Sequence, residues 1–383
     1  MRYTELPLTL QTSRVLSVDA VRGFSIFWIM GADGAILALD RMLRREGPPL
    51  SSIGNFLGTQ MTHAEWEGFH FYDFILPLFI FVTGVSIVLA LPRLVESEGK
   101  KQTHLRVLRR ALVLYVLGVI FYGGVGQHWS DIRFVGVLQR IAICYLFASL
   151  LFLNLSRRGL IVALVALLGG YWALMTFVPV PGIGAGSYAR DANLANWIDA
   201  QYLPGRLWDK TRDPEGLLST LPAIGTCLLG VLAGLLLNDK RLTPTQRSLW
   251  LMGPGFVMVA AGYLWGLQFP VVKSIWTSSF ALVAGGYSAI LLGVMHQVID
   301  VWGAKAWATI FVWIGANAIA LYFINGVLGF QPFALRLVGG GVKTWFDQVV
   351  TPGAGLFVAH LVGLSLAVAL AGFLYRRKIF LRA

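Results

Sequence analysis

Charge is what this sequence lacks. Only 13% of its 383 residues are Asp, Glu, Lys or Arg, against about 25% in an ordinary soluble domain. So long a chain with so little charge cannot clothe itself for water, which excludes a soluble globular enzyme. Disorder is excluded as well, because 56% of the residues are hydrophobic and disordered segments are polar. Cysteine is equally scarce. Cys144 and Cys227 each lie inside an apolar run, so they read as small core residues and not as a disulfide or a metal site. The 43 glycines follow no collagen period. A cleavable signal is not expected. The first apolar run begins near residue 18, is too long for a signal core, and already contains Asp19 and Arg22. What remains is a polytopic integral membrane protein, with a mean hydropathy of +0.68.

The apolar runs set the architecture. Ten of them are long enough to cross a bilayer of about 30 Å: 18–39, 71–92, 109–128, 134–154, 159–178, 216–237, 248–268, 275–298, 306–328 and 353–375. The expected fold is an all-α transmembrane helical bundle forming one domain over 1–383. Several runs are interrupted by Gly and Pro, which membrane helices tolerate. The stretch 329–352, with Pro332 and Gly339 to Gly341, is too broken for a clean span and reads as a loop or re-entrant segment.

The formal charge of +12 would suggest nucleic acid on a soluble protein. Here it follows membrane topology, and no nucleic-acid partner is expected. With the N-terminus in the cytoplasm, the inner segments hold eighteen Lys and Arg and the outer segments eleven. Cytoplasmic loops carry the excess of basic residues, so both termini are expected in the cytoplasm. The strongest single stop signal is Arg93, Lys100, Lys101, Arg106, Arg109 and Arg110. The longest outer loops are 40–70 and 179–215, the natural place for substrate handling.

Ionisable residues inside spans are costly and usually functional. The first span carries Asp19, Arg22 and Asp33. Asp19 and Arg22 are three apart, share a helix face and can pair. Asp33 sits among Gly31, Ala32 and Gly34, whose small side chains leave room beside a carboxylate. At the entry to the second span, His63, His70 and Asp73 cluster with Glu65, Trp66 and Glu67. A histidine there is a candidate proton-transfer group. His63, Glu65, His70 and Asp73 are also legal zinc ligands, but their spacing matches no zinc motif and no metal is expected. Gln139 and Arg140 enter the fourth span from outside and offer fixed donors for a phosphate or carboxylate. A structural partner such as Asp19 or Asp33 is the competing role for Arg140. His296 and Asn317, in later spans, read as helix-packing hydrogen-bond formers. Phosphate-loop signatures fail: Gly339 to Thr344 has Val342 where the motif needs glycine.

Val18-Asp19-Ala20-Val21-Arg22-Gly23 resembles the first-helix signature of transmembrane acyltransferases. His63-Ala64-Glu65-Trp66-Glu67-Gly68, followed by Asp73, Pro77 and Phe81-Val82-Thr83-Gly84, is more specific. It resembles the heparan-α-glucosaminide N-acetyltransferase family, including bacterial relatives. Three blocks agree in order: Ile132-Arg133 through Gly136 to Arg140, Val178 to Gly182, and Asp213-Pro214-Glu215-Gly216. The similarity is scattered over about residues 14–325.

The resemblance implies a membrane enzyme that acetylates a glucosamine amine across the bilayer from cytoplasmic acetyl-CoA, its co-substrate, through about ten helices and one histidine. That histidine matches His63. A family asparagine falls at Asp33 when the Arg-Gly anchor is aligned, so this chain carries an acid there. The resulting expectation is an acetyl-CoA-dependent sugar N-acetyltransferase of the bacterial inner membrane acting on an amino sugar or periplasmic glycan. His63 is then the general base, assisted by Asp33 and Asp73. Arg22, Arg106, Arg109, Arg110, Gln139 and Arg140 are the expected coenzyme-binding residues. A homodimer is compatible with the related enzyme's state. The alternative is an inner-membrane amino-sugar transporter, which broken spans and buried charges suit equally well and which has no reason to bind acetyl-CoA.

Overall fold

The computed structural model describes residues 15–380. Residues 1–14 and 381–383, with Arg2, Arg14 and Arg382 of the charge asymmetry, lie outside the described residues. The described chain is almost wholly helical, with one two-stranded hairpin, β1 (Tyr188–Ala189) and β2 (Ala192–Asn193).

Eight described helical stretches are long and apolar enough to span a membrane. They are Leu16–Leu43, Phe71–Glu98, Val137–Asn154, Arg157–Phe177, Thr220–Leu237, Pro244–Gly266, Ser278–Val301 and Ala354–Arg376. A ninth arises if α12 (Thr309–Ala316) and α13 (Ala318–Leu328), bent by 79° at Asn317, are one broken span. The expected count was ten. The difference is α5 (Lys100–Phe121). It occupies the place of the run at 109–128, but begins nine residues earlier and takes Lys100, Lys101, Arg106, Arg109 and Arg110 into the helix. The stretch 329–352 folds as two short helices, α14 (Phe330–Val338) and α15 (Gly341–Val349).

Local sequence explains where helices begin and break. In α10 (Pro244–Gly266) the Thr243 hydroxyl accepts from the Gln246 N–H, the Gln246 side chain accepts from the Thr243 N–H, and Pro244 opens the first turn. This reciprocal cap satisfies two amides that have no intrahelical partner. The first span is interrupted between α1 (Leu16–Phe27) and α2 (Asp33–Leu43) by a wide turn at Trp28–Ala32. Gly31 there has φ 124°, a conformation open to glycine and costly for other residues. The turn makes Asp33 the first residue of a new helix.

The chain forms two compact units that interleave in sequence. One consists of 65–68 and 76–303 with the described part of 1–18; the other consists of 19–64, 69–75 and the described part of 304–383. In the first unit, α4 (Phe71–Glu98) crosses α9 (Thr220–Leu237) with backbones nearly touching. A Cβ on Gly84 would lie 2.0 Å from the Cys227 carbonyl oxygen, and one on Gly230 would lie 1.9 Å from that of Phe81. Small residues are what let membrane helices approach this closely. Cys144 in α6 (Val137–Asn154) and Cys227 in α9 are buried and unbridged. Beyond the helix ends, α8 (Leu194–Tyr202) and the hairpin close over Tyr171, Met175, Val180, Leu194, Phe269 and Val272.

In the second unit, the edges and faces of Phe24, Trp28, Phe71 and Phe311 interlock. The small residues of α16 (Ala354–Arg376), among them Ala359, Ala367 and Ala371, are buried against its neighbours.

A candidate acyl-transfer site

The loop between α3 (Leu50–Gln60) and α4 is cinched by two devices. The Gln60 side chain accepts from the Phe71 N–H at 3.0 Å. Asp73 in the first turn of α4 accepts from the His70 N–H at 3.0 Å while its own N–H donates to the His70 carbonyl. An acid in the first helical turn reaching back to the capping residue is a known way to close a helix start. It also buries Asp73 completely beneath the loop.

The same carboxylate accepts from the Ala64 N–H at 3.1 Å and meets the His63 Nδ1 at 2.8 Å. With two backbone amides already donating to it, Asp73 is an acceptor toward the imidazole. In its neutral form His63 therefore donates from Nδ1 and carries its lone pair on Nε2. Exposure completes the picture: the His63 side chain is 51% exposed and that of Asp73 is 0% exposed. The histidine can reach a solute; the acid can only orient the histidine.

A second acid and a second histidine lie beside the pair. The Tyr72 ring tilts over the His63 ring, centroids 5.0 Å apart. The Tyr72 hydroxyl faces the Asp33 carboxylate at the start of α2. His360 of α16 faces the same carboxylate, and its ring lies flush on Gly34, where a Cβ would be 2.3 Å away. His360 Nδ1 is buried and without a hydrogen-bond partner. The carboxylate against His63 is thus Asp73 and not Asp33, which stands one ring further off behind Tyr72. His360 was not singled out in the sequence, although an ionisable residue inside an apolar span is itself a signal. The criterion that selected His296 applies equally to His360.

The arginines from the motif blocks have a different setting. Arg133 is buried between Asp213 and Glu215, with Nη2 2.8 Å from each carboxylate. Its guanidinium lies 4.4 Å from the Tyr122 ring centroid and 4.6 Å from that of Trp208. Burial works against the Arg133 charge, and the two carboxylates override it, raising its pKa. Burial also raises the Glu215 carboxyl, despite the arginines beside it, and lifts Asp199 to about 7.

Arg140, 1% exposed, donates from Nη2 to the Gly216 carbonyl at 3.1 Å and to the Ser219 hydroxyl. It stacks 5.0 Å from Trp276. Neither Asp19 nor Asp33, the partners considered for it, is among these contacts. Gln139 is buried and donates to the Arg133 carbonyl at 3.4 Å.

Of the remaining candidates, Arg22 pairs with Asp19 at 3.2 Å and reaches the Gly315 carbonyl at 3.4 Å. Arg106 pairs with Glu98 at 2.6 Å, while Arg109 and Arg110 are exposed on α5, Arg110 over the Tyr145 ring. Trp66 donates its indole N–H to the Tyr188 carbonyl at 2.9 Å and carries Arg212 over its ring. It pins the hairpin, so its donor is already used. His296 bonds Ser248 at 2.8 Å and Asn317 donates to the Ile379 carbonyl at 3.1 Å.

A buried acid beside a half-exposed histidine is an arrangement in which the imidazole can exchange a proton with a solute. The family model described as heparan-alpha-glucosaminide N-acetyltransferase, catalytic, matches residues 50–263, more than half of the chain. The chain belongs to this family. His63, Asp73 and the Arg133 and Arg140 network fall inside the matched region; Asp33 and His360 fall outside it. The human heparan-alpha-glucosaminide N-acetyltransferase is 28% identical over 376 residues, covering 83% of this chain and 55% of its own length. The mouse protein of the same name is 24% identical over 375 residues, covering 83% and 56%. The chain spans about half the length of the curated relatives it matches.

Proposed function

We propose that this protein is an acetyl-CoA-dependent transmembrane acetyltransferase, taking the acetyl group from cytoplasmic acetyl-CoA to an amino sugar or glycan on the opposite, periplasmic side. The His63–Asp73 pair carries this reading. In it, Nε2 of His63 takes the proton from the acceptor amine or hydroxyl as that group attacks the thioester carbonyl. A tetrahedral intermediate forms and collapses by breaking the carbon–sulfur bond, and the His63 imidazolium returns its proton to the departing thiolate. Asp73 stabilises the imidazolium and keeps the tautomer, as the acid does in a Ser-His-Asp triad. The developing oxyanion needs donors. Tyr72, whose ring lies against His63, is our choice of donor, exchanging Asp33 for the oxyanion.

Arg106, Arg109 and Arg110 remain our choice for the phosphates of the coenzyme, being exposed on α5, with Arg109 and Arg110 in no ion pair among the described residues. Arg22 is engaged by Asp19 and the Gly315 carbonyl, while Gln139 and Arg140 are held within the first unit with Gln139 Oε1 and Arg140 Nε and Nη1 left without a partner; their proposed part is to fix the helices of their own units.

The test is acetyl-CoA binding to detergent-purified protein by thermal shift, with CoA and acetate as controls, followed by turnover of His63→Ala. A ligand at 100 times its dissociation constant stabilises a fold by about 2.7 kcal/mol. A shift retained in a variant without turnover supports the assignment. No shift in folded protein favours the amino-sugar transporter, to which the broken α12–α13 span would then belong.

A further inference from the structure

A groove of about 660 Å³ opens on the second unit between the end of α1, α12 and the last half of α16. Phe27, Trp313, Leu364 and Val368 line it, and Arg376 and Arg377 close one end. Several lining residues on α16, among them Ser365, Ala369 and Phe373, are exposed, on a helix long and apolar enough to span the membrane. An apolar wall exposed at that depth meets hydrocarbon and not water. The volume is room for roughly twenty water-sized groups, the scale of a lipid acyl chain.

The closed end has the opposite chemistry. Arg376 lies over the Trp313 ring at 5.2 Å and Arg377 over that of Phe373 at 5.8 Å. The rings hold the guanidinium faces and leave their N–H edges for an acceptor. Lys378 follows directly, and no carboxylate pairs with any of the three among the described residues. Three uncompensated cations at the end of a membrane helix select an anion at the headgroup level.

We propose that this groove is a binding site for an anionic diacyl phospholipid, with an acyl chain along Phe27, Leu364 and Val368 and the phosphate on Arg376 and Arg377. The lining favours lipid over the coenzyme. Among the lining residues Ser365 carries the only hydroxyl, and the amides of a pantetheine arm would go largely unpaired there at a real cost. The bound lipid would brace the two helices that lead into the candidate site, since α1 continues through the Gly31 turn to Asp33 and α16 carries His360.

The test is native mass spectrometry of the full chain released from detergent with phosphatidylglycerol or phosphatidylcholine. We expect retention of phosphatidylglycerol over phosphatidylcholine. We expect the R376Q/R377Q double variant to lose roughly thirty-fold in phosphatidylglycerol affinity, about five-fold for each basic residue at an anionic surface. Ala369→Trp, which obstructs the wall and keeps both arginines, should weaken retention as well, with an unchanged melting temperature in lipid-free detergent showing that it folds. Equal retention of the two lipids, or full retention by R376Q/R377Q, overturns the proposal. Stabilisation by inorganic phosphate equal to that by phosphatidylglycerol would make this a bare phosphate site, and competition by acetyl-CoA would make it the coenzyme's; either result overturns it too.

Discussion

The two units each bring acids and bases together, with opposite outcomes. In one, Asp73 is fully buried while its partner His63 is half exposed. In the other, Arg133, Asp213 and Glu215 are buried together. Both groups come from motif blocks of equal apparent weight. The asymmetric pair has one member able to leave its partner and meet a substrate. The symmetric network has none, and its cations and anions are spent on each other, pinning the segment around Asp213 to the start of α6. Motif residues of one family therefore divide by exposure into those that can act on a solute and those that hold the frame.

Substitutions sharpen this contrast. The largest effect belongs to the asymmetric pair. His63→Ala should lower turnover by roughly 10²–10⁴-fold, and Asp73→Asn should approach the upper figure, because an amide favours the wrong tautomer. Both should keep the acetyl-CoA thermal shift; near-normal turnover in either would dissolve the pair as a catalytic unit. Next comes the symmetric network. Arg133→Met leaves two buried carboxylates without their cation, for a loss of about 3–5 kcal/mol of stability. Denaturation should detect it, while the folded fraction turns over normally. A drop in turnover matching that of His63→Ala would erase the distinction between the two groups.

Asp33→Asn should be milder. It keeps an acceptor for Tyr72 but removes the charge, and the difference between a charged and a neutral hydrogen bond is about 1 kcal/mol, or roughly five-fold in rate. A loss as deep as that of His63→Ala would make Asp33, and not Asp73, the decisive acid.

The smallest effect concerns Asp199. Burial raises its carboxyl to about 7, well above the usual carboxylate value of about 4. The folded state therefore holds this proton more tightly than the unfolded one. The associated stability is full below about pH 4 and is lost as pH rises through about 7. Asp199→Asn should flatten that decline in melting temperature. An unchanged slope would place the proton elsewhere.

Much of this molecule was legible in its sequence, and the exceptions share a cause. Long apolar runs located the spans because burial in a bilayer needs continuous apolarity. The tenth run lies on α5, where a basic segment and an apolar one join in one helix, so it is not among the eight or nine stretches long and apolar enough to span. His63 and Asp73 were legible because they are ten residues apart in one motif. Asp33 was legible as a candidate, but its partners were not. Tyr72 and His360 stand 39 and 327 residues further along the chain, and nothing local records which face of α16 meets α2. Arg140 likewise finds its acceptors 76 and 79 residues away. The turn at Gly31 was hidden by the abundance of glycine: 43 residues could have marked a break, and only the backbone shows which one did.

The burial of both cysteines has a practical side. A thiol sealed inside a helix bundle is inert toward water-soluble labels, so Cys144 and Cys227 form a silent background. A single cysteine introduced at Ser51, at the start of α3, or at Lys101, at the start of α5, would be the one reactive thiol in intact cells. Impermeant maleimide labelling of the first and protection of the second would place α3 outside the membrane and the basic helix inside, giving the chain its sidedness without prior removal of its own thiols.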